Sequence, residues 1–205
     1  MTEKKIETVV FDLGGVLIDW NPEYLFRKIF EDEAEMRHFL EKIATPDWNE
    51  QQDAGRPLAE ATEWLVERHP EHEVAIRAYY GRWEEMLGGA IRETVAILEE
   101  IHTRDEHRLY ALTNWSAETF PIARERYAFL QRFEGILVSG EEKLKKPDTR
   151  IYRLLFERYG FEPERALFID DSLRNVEGAR EVGFNAIHFS SPEALKVELR
   201  EREIL

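Results

Sequence analysis

TVVFDLGGVLIDW, residues 8–20, is the stretch whose reading decides the fold. Val9, Val10 and Phe11 form a short β-branched and aromatic run, the pattern of a strand buried on both faces. The run stops at Asp12. Leu13, Gly14 and Gly15 follow, and apolar text resumes with Val16, Leu17 and Ile18. Glycines let a backbone turn sharply and approach a ligand closely. In an open parallel sheet, ligands bind outside the carboxyl ends of the strands. Asp12 therefore sits where a ligand-facing carboxylate belongs. A helix N-cap would use the same residue type, so the stretch alone leaves both readings open.

Outward from this strand the text changes period. Residues 22–87 read as helical, beginning with PEYLFRKIFEDEAEMRHFLEKIA after Asn21. A break at Thr45-Pro46-Asp47 follows, then LAEATEWLVERH, then a third helix through EVAIRAYYGRWEEML to Gly88-Gly89. No strand signal appears there, and so small a lobe forms no large core alone. From residue 90 helix and strand alternate. AIRETVAILEEI is amphipathic, RLYALTN reads as a strand ending at Thr113, and residues 117–130 are helical. GILVSG is a strand, PDTRIYRLLFERYG a helix with Pro147 near its start and Gly160 at its end, and RALFIDD a strand. A helix over 175–182 and the strand NAIHF complete the chain. This predicts an α/β fold, a doubly wound parallel five-stranded sheet with an inserted all-helical lobe. Residues 1–19 and 88–205 form the core in this division, and 20–87 the insertion.

Composition excludes several function classes. The 205 residues carry a net charge of −14, so neither nucleic acid nor an anionic membrane surface is expected as partner. No cysteine is present, which removes disulfides, thiolate metal sites and a thiol nucleophile. No apolar run approaches the roughly 20 residues of a membrane span, and the N-terminal apolar run is too short for a signal peptide. A cytoplasmic protein is expected. Nothing in the sequence chooses between monomer and homodimer. No G-x-S-x-G, P-loop or G-x-G-x-x-G motif occurs.

Four places at strand ends or in loops can converge on one edge of such a sheet: Asp12, Thr113-Asn114, Lys146, and Asp170-Asp171 with Asn175. Asp12 and Asp171 are hard oxygen donors suited to Mg²⁺, and a carboxylate can also attack phosphorus. Thr113 and Asn114 can donate to phosphoryl oxygens. Lys146 can hold a phosphate or neutralise the carboxylates. The adjacent pair Asp170-Asp171 ends a buried strand, where like charges repel unless a cation intervenes. Taken singly, Thr113 fits a capping residue, Lys143 and Lys145 a solvated surface, and His69 and His72 likewise. Trp115 fits a pocket wall and the core equally.

With these residues in view, the sequence resembles the haloacid dehalogenase superfamily, in its group with a helical cap inserted after the first motif. FDLGGVL resembles the first motif, LTN the second, KKPDTRIY the third and FIDDSLRNVEGAREVG the fourth. The similarity is nearest to the phosphatases of the D-L-G-N-V type that act on sugar phosphates. It implies a core strand order of 3-2-1-4-5. It implies Asp12 as nucleophile, Thr113 and Asn114 as phosphate ligands, and Lys146 in both catalysis and substrate binding. It also implies Mg²⁺ on Asp12, the Gly14 carbonyl and Asp171, with Asp170 and Asn175 close behind, and residues 20–87 as a lid over a small phosphorylated substrate. One departure stands out. Family phosphatases carry a second Asp two residues after the nucleophile as general acid, and here that position is Gly14. Asp19, at the entry to the cap, is the first candidate to replace it. Two rivals remain at this stage. A 2-haloacid dehalogenase needs neither metal nor proton donor, but in this family it carries an aromatic residue at the Gly14 position and Ser at that of Asp171. The other rival is a binding protein that kept the fold and lost the activity.

Overall fold

The computed structural model describes residues 5–205. Its strands are β1 (Thr8–Phe11), β2 (Ile18–Trp20), β3 (Leu87–Ala90), β4 (Arg108–Thr113), β5 (Gly135–Val138), β6 (Ala166–Asp170) and β7 (Asn185–His188). All four residues of β1 are buried, as expected of a central strand covered on both faces. β1 pairs in parallel with β4 on one side and β6 on the other. The large sheet runs β5-β4-β1-β6-β7, which in its own chain order is 3-2-1-4-5.

Alternation along the strands divides the core in two. Val9, Phe11, Leu109, Ala111, Leu167 and Ile169 meet Ile97, Leu98 and Ile101 of the helix Arg92–Arg104, and Leu195 and Leu199 of Pro192–Glu201. Val10, Tyr110, Leu112 and Phe168 face the other way, onto Ile151, Tyr152 and Leu155 of Thr149–Tyr159 and Ala179 of Leu173–Glu181. Both faces of the sheet are thus covered, the arrangement that parallel strands require. Gly160 ends its helix in the left-handed conformation (φ 66°), and Asp148 caps the start by accepting from the Arg150 N–H at 2.9 Å.

Between β2 and β3 the chain is helical: Glu23–Phe26, Glu33–His38 running into a π-helical turn Phe39–Ile43, Pro46–Asp53, Leu58–Arg68, Glu73–Gly81 and a 3₁₀ turn Trp83–Met86. Phe26, Phe39, Trp48 and Tyr79 pack ring to ring at 4.9–5.7 Å between centroids. Trp83 carries this cluster onto Trp115 of the sheet domain at 5.6 Å, edge to face.

The structure corrects three sequence expectations here. The single helix expected from Pro22 to Ala44 is broken at residues 27–32, because Asp32 starts a new helix by accepting from Ala34 and Glu35 N–H. The helix expected to reach Gly88 ends at Gly81. Leu87–Ala90 is a strand, paired antiparallel with Ile18–Trp20. Both chain crossings between the sheet domain and the helices therefore run side by side in one two-stranded ribbon.

Candidate active site

The ladder of β1 continues one residue past the strand, with Asp12 N–H donating to Ile169 O at 2.8 Å. That bond fixes the Asp12 side chain at the carboxyl edge of the sheet. Its Oδ1 accepts from Leu13 N–H at 2.7 Å and lies 2.9 Å from Lys146 Nζ. Lys146 is wholly buried. Its ammonium also donates to Asp170 Oδ2 at 2.7 Å and to the Leu112 carbonyl at 2.9 Å. Three donors thus meet three acceptors, the full capacity of an ammonium. Burial pulls the Lys146 pKa down, but the anions Asp12 and Asp170 and the bonds to them outweigh it, and the pKa is raised.

Asp170 is fully buried and saturated by donors: Lys146, the Ser172 N–H at 2.8 Å, and Asn175 Nδ2 at 3.1 and 3.2 Å to its two oxygens. Asp171, the next residue, lines the cavity and stays in part exposed to solvent. Asp12, Asp170 and Asp171 each offer an oxygen within 4.8 Å of the others. One ammonium serves three carboxylates here, and Asp12 registers the imbalance. Burial raises its pKa well above the ordinary range, Lys146 pulls it back, and Asp170 and Asp171 push it up again. Asp171 is likewise raised by burial and then by Asp170. A cluster of hard oxygen donors short of positive charge fits a divalent cation such as Mg²⁺.

The turn after Asp12 makes room for this cluster. Gly15 has φ 71°, and a Cβ on it would fall 2.2 Å from Asp171 Oδ2. Gly14 is different. Its φ is outside the left-handed region, and a Cβ there would meet nothing within 4 Å. The tight glycine of the pair is Gly15.

Thr113, at the end of β4, is buried, and among the described residues its hydroxyl has no hydrogen-bond partner. Thr113 is not among the residues lining the cavity over Asp12, and a buried hydroxyl without a partner is uncommon in folded proteins. Asn114 plays a more local part than expected. Its Nδ2 donates to the Lys146 carbonyl at 3.0 Å, and its Oδ1 accepts from the Lys146 N–H at 2.8 Å, which pins the Lys146 backbone. Asn175 is buried, and its Oδ1 has no partner among the described residues.

A cavity of about 580 Å³ opens over these groups. Asp12, Gly14, Gly15, Asn114 and Asp171 form its floor, and Trp20, Leu40, Tyr80, Trp83 and Trp115 its aromatic and apolar wall. Trp115 serves both as wall and as core, with its Nε1 donating to Thr119 Oγ1 at 3.1 Å. Two sequence expectations fail at the rim. Asp19 is not among the residues lining the cavity, and its carboxylate accepts from the Tyr24 hydroxyl at 2.7 Å. Lys145 is not merely a solvated surface residue, since it pairs with Glu50 of the helical lobe, which Arg174 also reaches. Sequence reading also missed Glu50 and Asp53, both lining the cavity. They lie in PDWNEQQD, a polar helix with no apolar periodicity to orient it.

The model of the haloacid dehalogenase-like hydrolases matches residues 6–183. A sesquiterpene phosphatase of Aspergillus oryzae is 27% identical over 95% of this chain and 95% of its own. A phosphatase of phosphorylated carbohydrates from Thermotoga maritima is 27% identical over 89% of this chain and 84% of its own. Among solved structures, a magnesium complex of a haloacid dehalogenase family enzyme from Bacteroides thetaiotaomicron superposes with a TM-score of 0.75. It covers 96% of this chain and 100% of its own at 22% identity, a likeness of fold. The four motif segments, the strand order and the match over most of the length agree, and the chain belongs to the haloacid dehalogenase-like hydrolase family.

Proposed function

We infer that this hydrolase is a Mg²⁺-dependent phosphatase of small phosphorylated metabolites, sugar phosphates being the first class to try. Asp12 attacks phosphorus in line and forms an aspartyl-phosphate, which water then hydrolyses. Asp12, Asp171 and the Gly14 carbonyl would hold Mg²⁺, which when bound offsets the repulsion between the nucleophile and the phosphoryl oxygens. The Thr113 hydroxyl donates to one of those oxygens. Lys146 keeps Asp12 and Asp170 in place and protonates neither, since its own proton is held tightly. Asn114 sets the Lys146 backbone, and residues 20–87 act as the lid that excludes water from the phosphoryl group.

The observation that carries this reading is the charge imbalance: three carboxylates within 4.8 Å of one another around one ammonium. It favours metal-dependent phosphoryl chemistry over dehalogenation, which has no use for the extra carboxylates. The aromatic wall suits the apolar face of a sugar ring and equally an apolar alcohol, and the named activities of the two relatives lie in these two directions. The test is hydrolysis of p-nitrophenyl phosphate with Mg²⁺ and with chelator, beside chloride release from 2-chloropropionate. Chelator-sensitive phosphatase activity supports the reading. Chelator-resistant halide release, or neither activity, overturns it. A panel of sugar and prenyl phosphates then ranks the substrates.

A further inference from the structure

The geometry points to Asp53, contributed by the helical lobe, as the proton donor to the leaving group, in place of the carboxyl that Gly14 lacks. The inference rests on the phosphatase reading above. Asp53 is the last residue of the helix Pro46–Asp53 and lines the same cavity as Asp12, Gly14 and Asp171. Its place is fixed by the core. Its carbonyl accepts from Ser139 Oγ at 2.5 Å, and two residues on, Gly55 (φ 95°) comes so close to the core that a Cβ would lie 3.1 Å from the Gly140 carbonyl. The carboxyl also faces the backbone N–H of Ser116, two residues beyond Asn114.

What sets Asp53 apart is what it is not paired with. Lys145 is bonded to Glu50, and Lys146 to Asp12 and Asp170. Glu50, which also lines the cavity, has two cations and is held below the ordinary range despite its burial. Among the described residues none forms an ion pair with Asp53. Burial raises its pKa first and Glu50 adds to this, while Lys145, Lys146 and the Ser116 N–H act against them, leaving it at about 7. The phenols of Tyr79 and Tyr80 also lie near it and are neutral at that pH. A carboxyl of this kind holds its proton near neutrality and can release it, as a general acid requires.

The steps balance. As an Asp12 oxygen bonds to phosphorus, the bond to the ester oxygen breaks and its electron pair goes to that oxygen. The Asp53 proton moves to the same oxygen, the alcohol departs, and Asp53 is left as carboxylate. In the second step the Asp53 carboxylate takes a proton from water as that water bonds to phosphorus. The bond from phosphorus to Asp12 breaks, and inorganic phosphate leaves.

The experiment compares the parent with Asp53→Asn on p-nitrophenyl phosphate and on simple alkyl phosphates. kcat/KM reports events up to leaving-group departure, where a phenolate needs little protonation and an alkoxide much. For the alkyl esters it should fall by about 10²–10⁴-fold, and for p-nitrophenyl phosphate by less than about tenfold. kcat should fall for both, since hydrolysis of the phosphoenzyme loses its base. The parent's kcat/KM for alkyl esters should decline above about pH 7, and that limb should vanish in the variant. An equal loss on both ester classes, or no loss, overturns the assignment while leaving the parent's phosphatase activity, and hence the broader reading, intact. Should the variant not fold, the parent alone decides. A steep dependence of its kcat/KM on leaving-group pKa, with no basic limb on alkyl esters, also overturns the assignment.

Discussion

Replacing Lys146 with Met keeps the length and apolar stem of the side chain and removes the one cation among three carboxylates. In the parent, Lys146 is fully buried, 2.9 Å from Asp12, 2.7 Å from Asp170 and bonded to the Leu112 carbonyl. Removing one partner of a buried ion pair costs about 3–5 kcal/mol, because the other charge is left uncompensated. At about 2–4 °C per kcal/mol for a chain of this size, the melting temperature should fall by about 6–20 °C. The pH dependence has a definite sign. Asp12 already has a folded-state pKa above its ordinary value. Such a group contributes stability that is whole below the unfolded pKa, about 4, and lost as pH rises through the folded value. Loss of Lys146 moves that folded value further up. The lysine itself stays charged until well above neutrality. The variant's deficit should therefore be greatest at pH 8 and shrink toward pH 5, as Asp12 takes up its proton. The assay is thermal denaturation of both proteins at pH 5, 6.5 and 8 in chelator. A deficit under about 2 °C at pH 8, less than 1 kcal/mol on the same scale, would refute the charge argument. So would a deficit that does not change with pH.

Asp12→Asn should abolish turnover while keeping the melting temperature, because the amide matches the carboxylate in shape but is no nucleophile; substantial residual phosphatase activity would remove Asp12 from the covalent step. Asp171→Ala should raise the Mg²⁺ concentration needed for half-maximal rate, since such sites use few protein ligands, and an unchanged titration would take Asp171 out of the metal's ligands. Gly14→Asp should fold as well as the parent, because a Cβ there meets nothing within 4 Å. If its carboxyl reaches the leaving oxygen, it should restore alkyl phosphate hydrolysis to Asp53→Asn by up to about 10²-fold. Alkyl rates of the double variant equal to those of Asp53→Asn alone would deny Gly14 that reach.

The sheet and its ligand-facing edge were legible because each rests on local text. A buried strand reads as an apolar run, and its end reads as the first carboxylate, hydroxyl or glycine. This is how Asp12, Thr113 and Asp170-Asp171 stand out. What depended on contacts distant in sequence was not legible. β2 and β3 are three and four residues long, and the second reads LGGA, which carries no strand propensity of its own. Their pairing is a tertiary fact. The same holds for Lys145, whose partner Glu50 lies 95 residues away. Asp53 sits on a helix whose polar text gives no hint that one end is buried against Ser139. Which glycine of Gly14-Gly15 is tight depends on the approach of Asp171, which comes from the far end of the chain.

The ribbon that joins the two parts has a consequence for how such a protein can change over time. Trp20 and Leu87 face one another across it, so the long helical excursion leaves and re-enters the sheet domain at neighbouring points. To the sheet domain the excursion is a closed loop. The entropy of closing a flexible loop grows only with the logarithm of its length, about 0.6 kcal/mol per doubling. Residues 21–86 could therefore be lengthened, shortened or exchanged for other helices with little effect on the strands that carry Asp12, Thr113 and Asp170. On the function proposed above, the nucleophile and the metal ligands lie in the sheet domain, and much of the cavity wall lies in the excursion. A lineage, or an engineer, can rewrite the second without disturbing the first, provided the replacement brings its own residue to the position of Asp53.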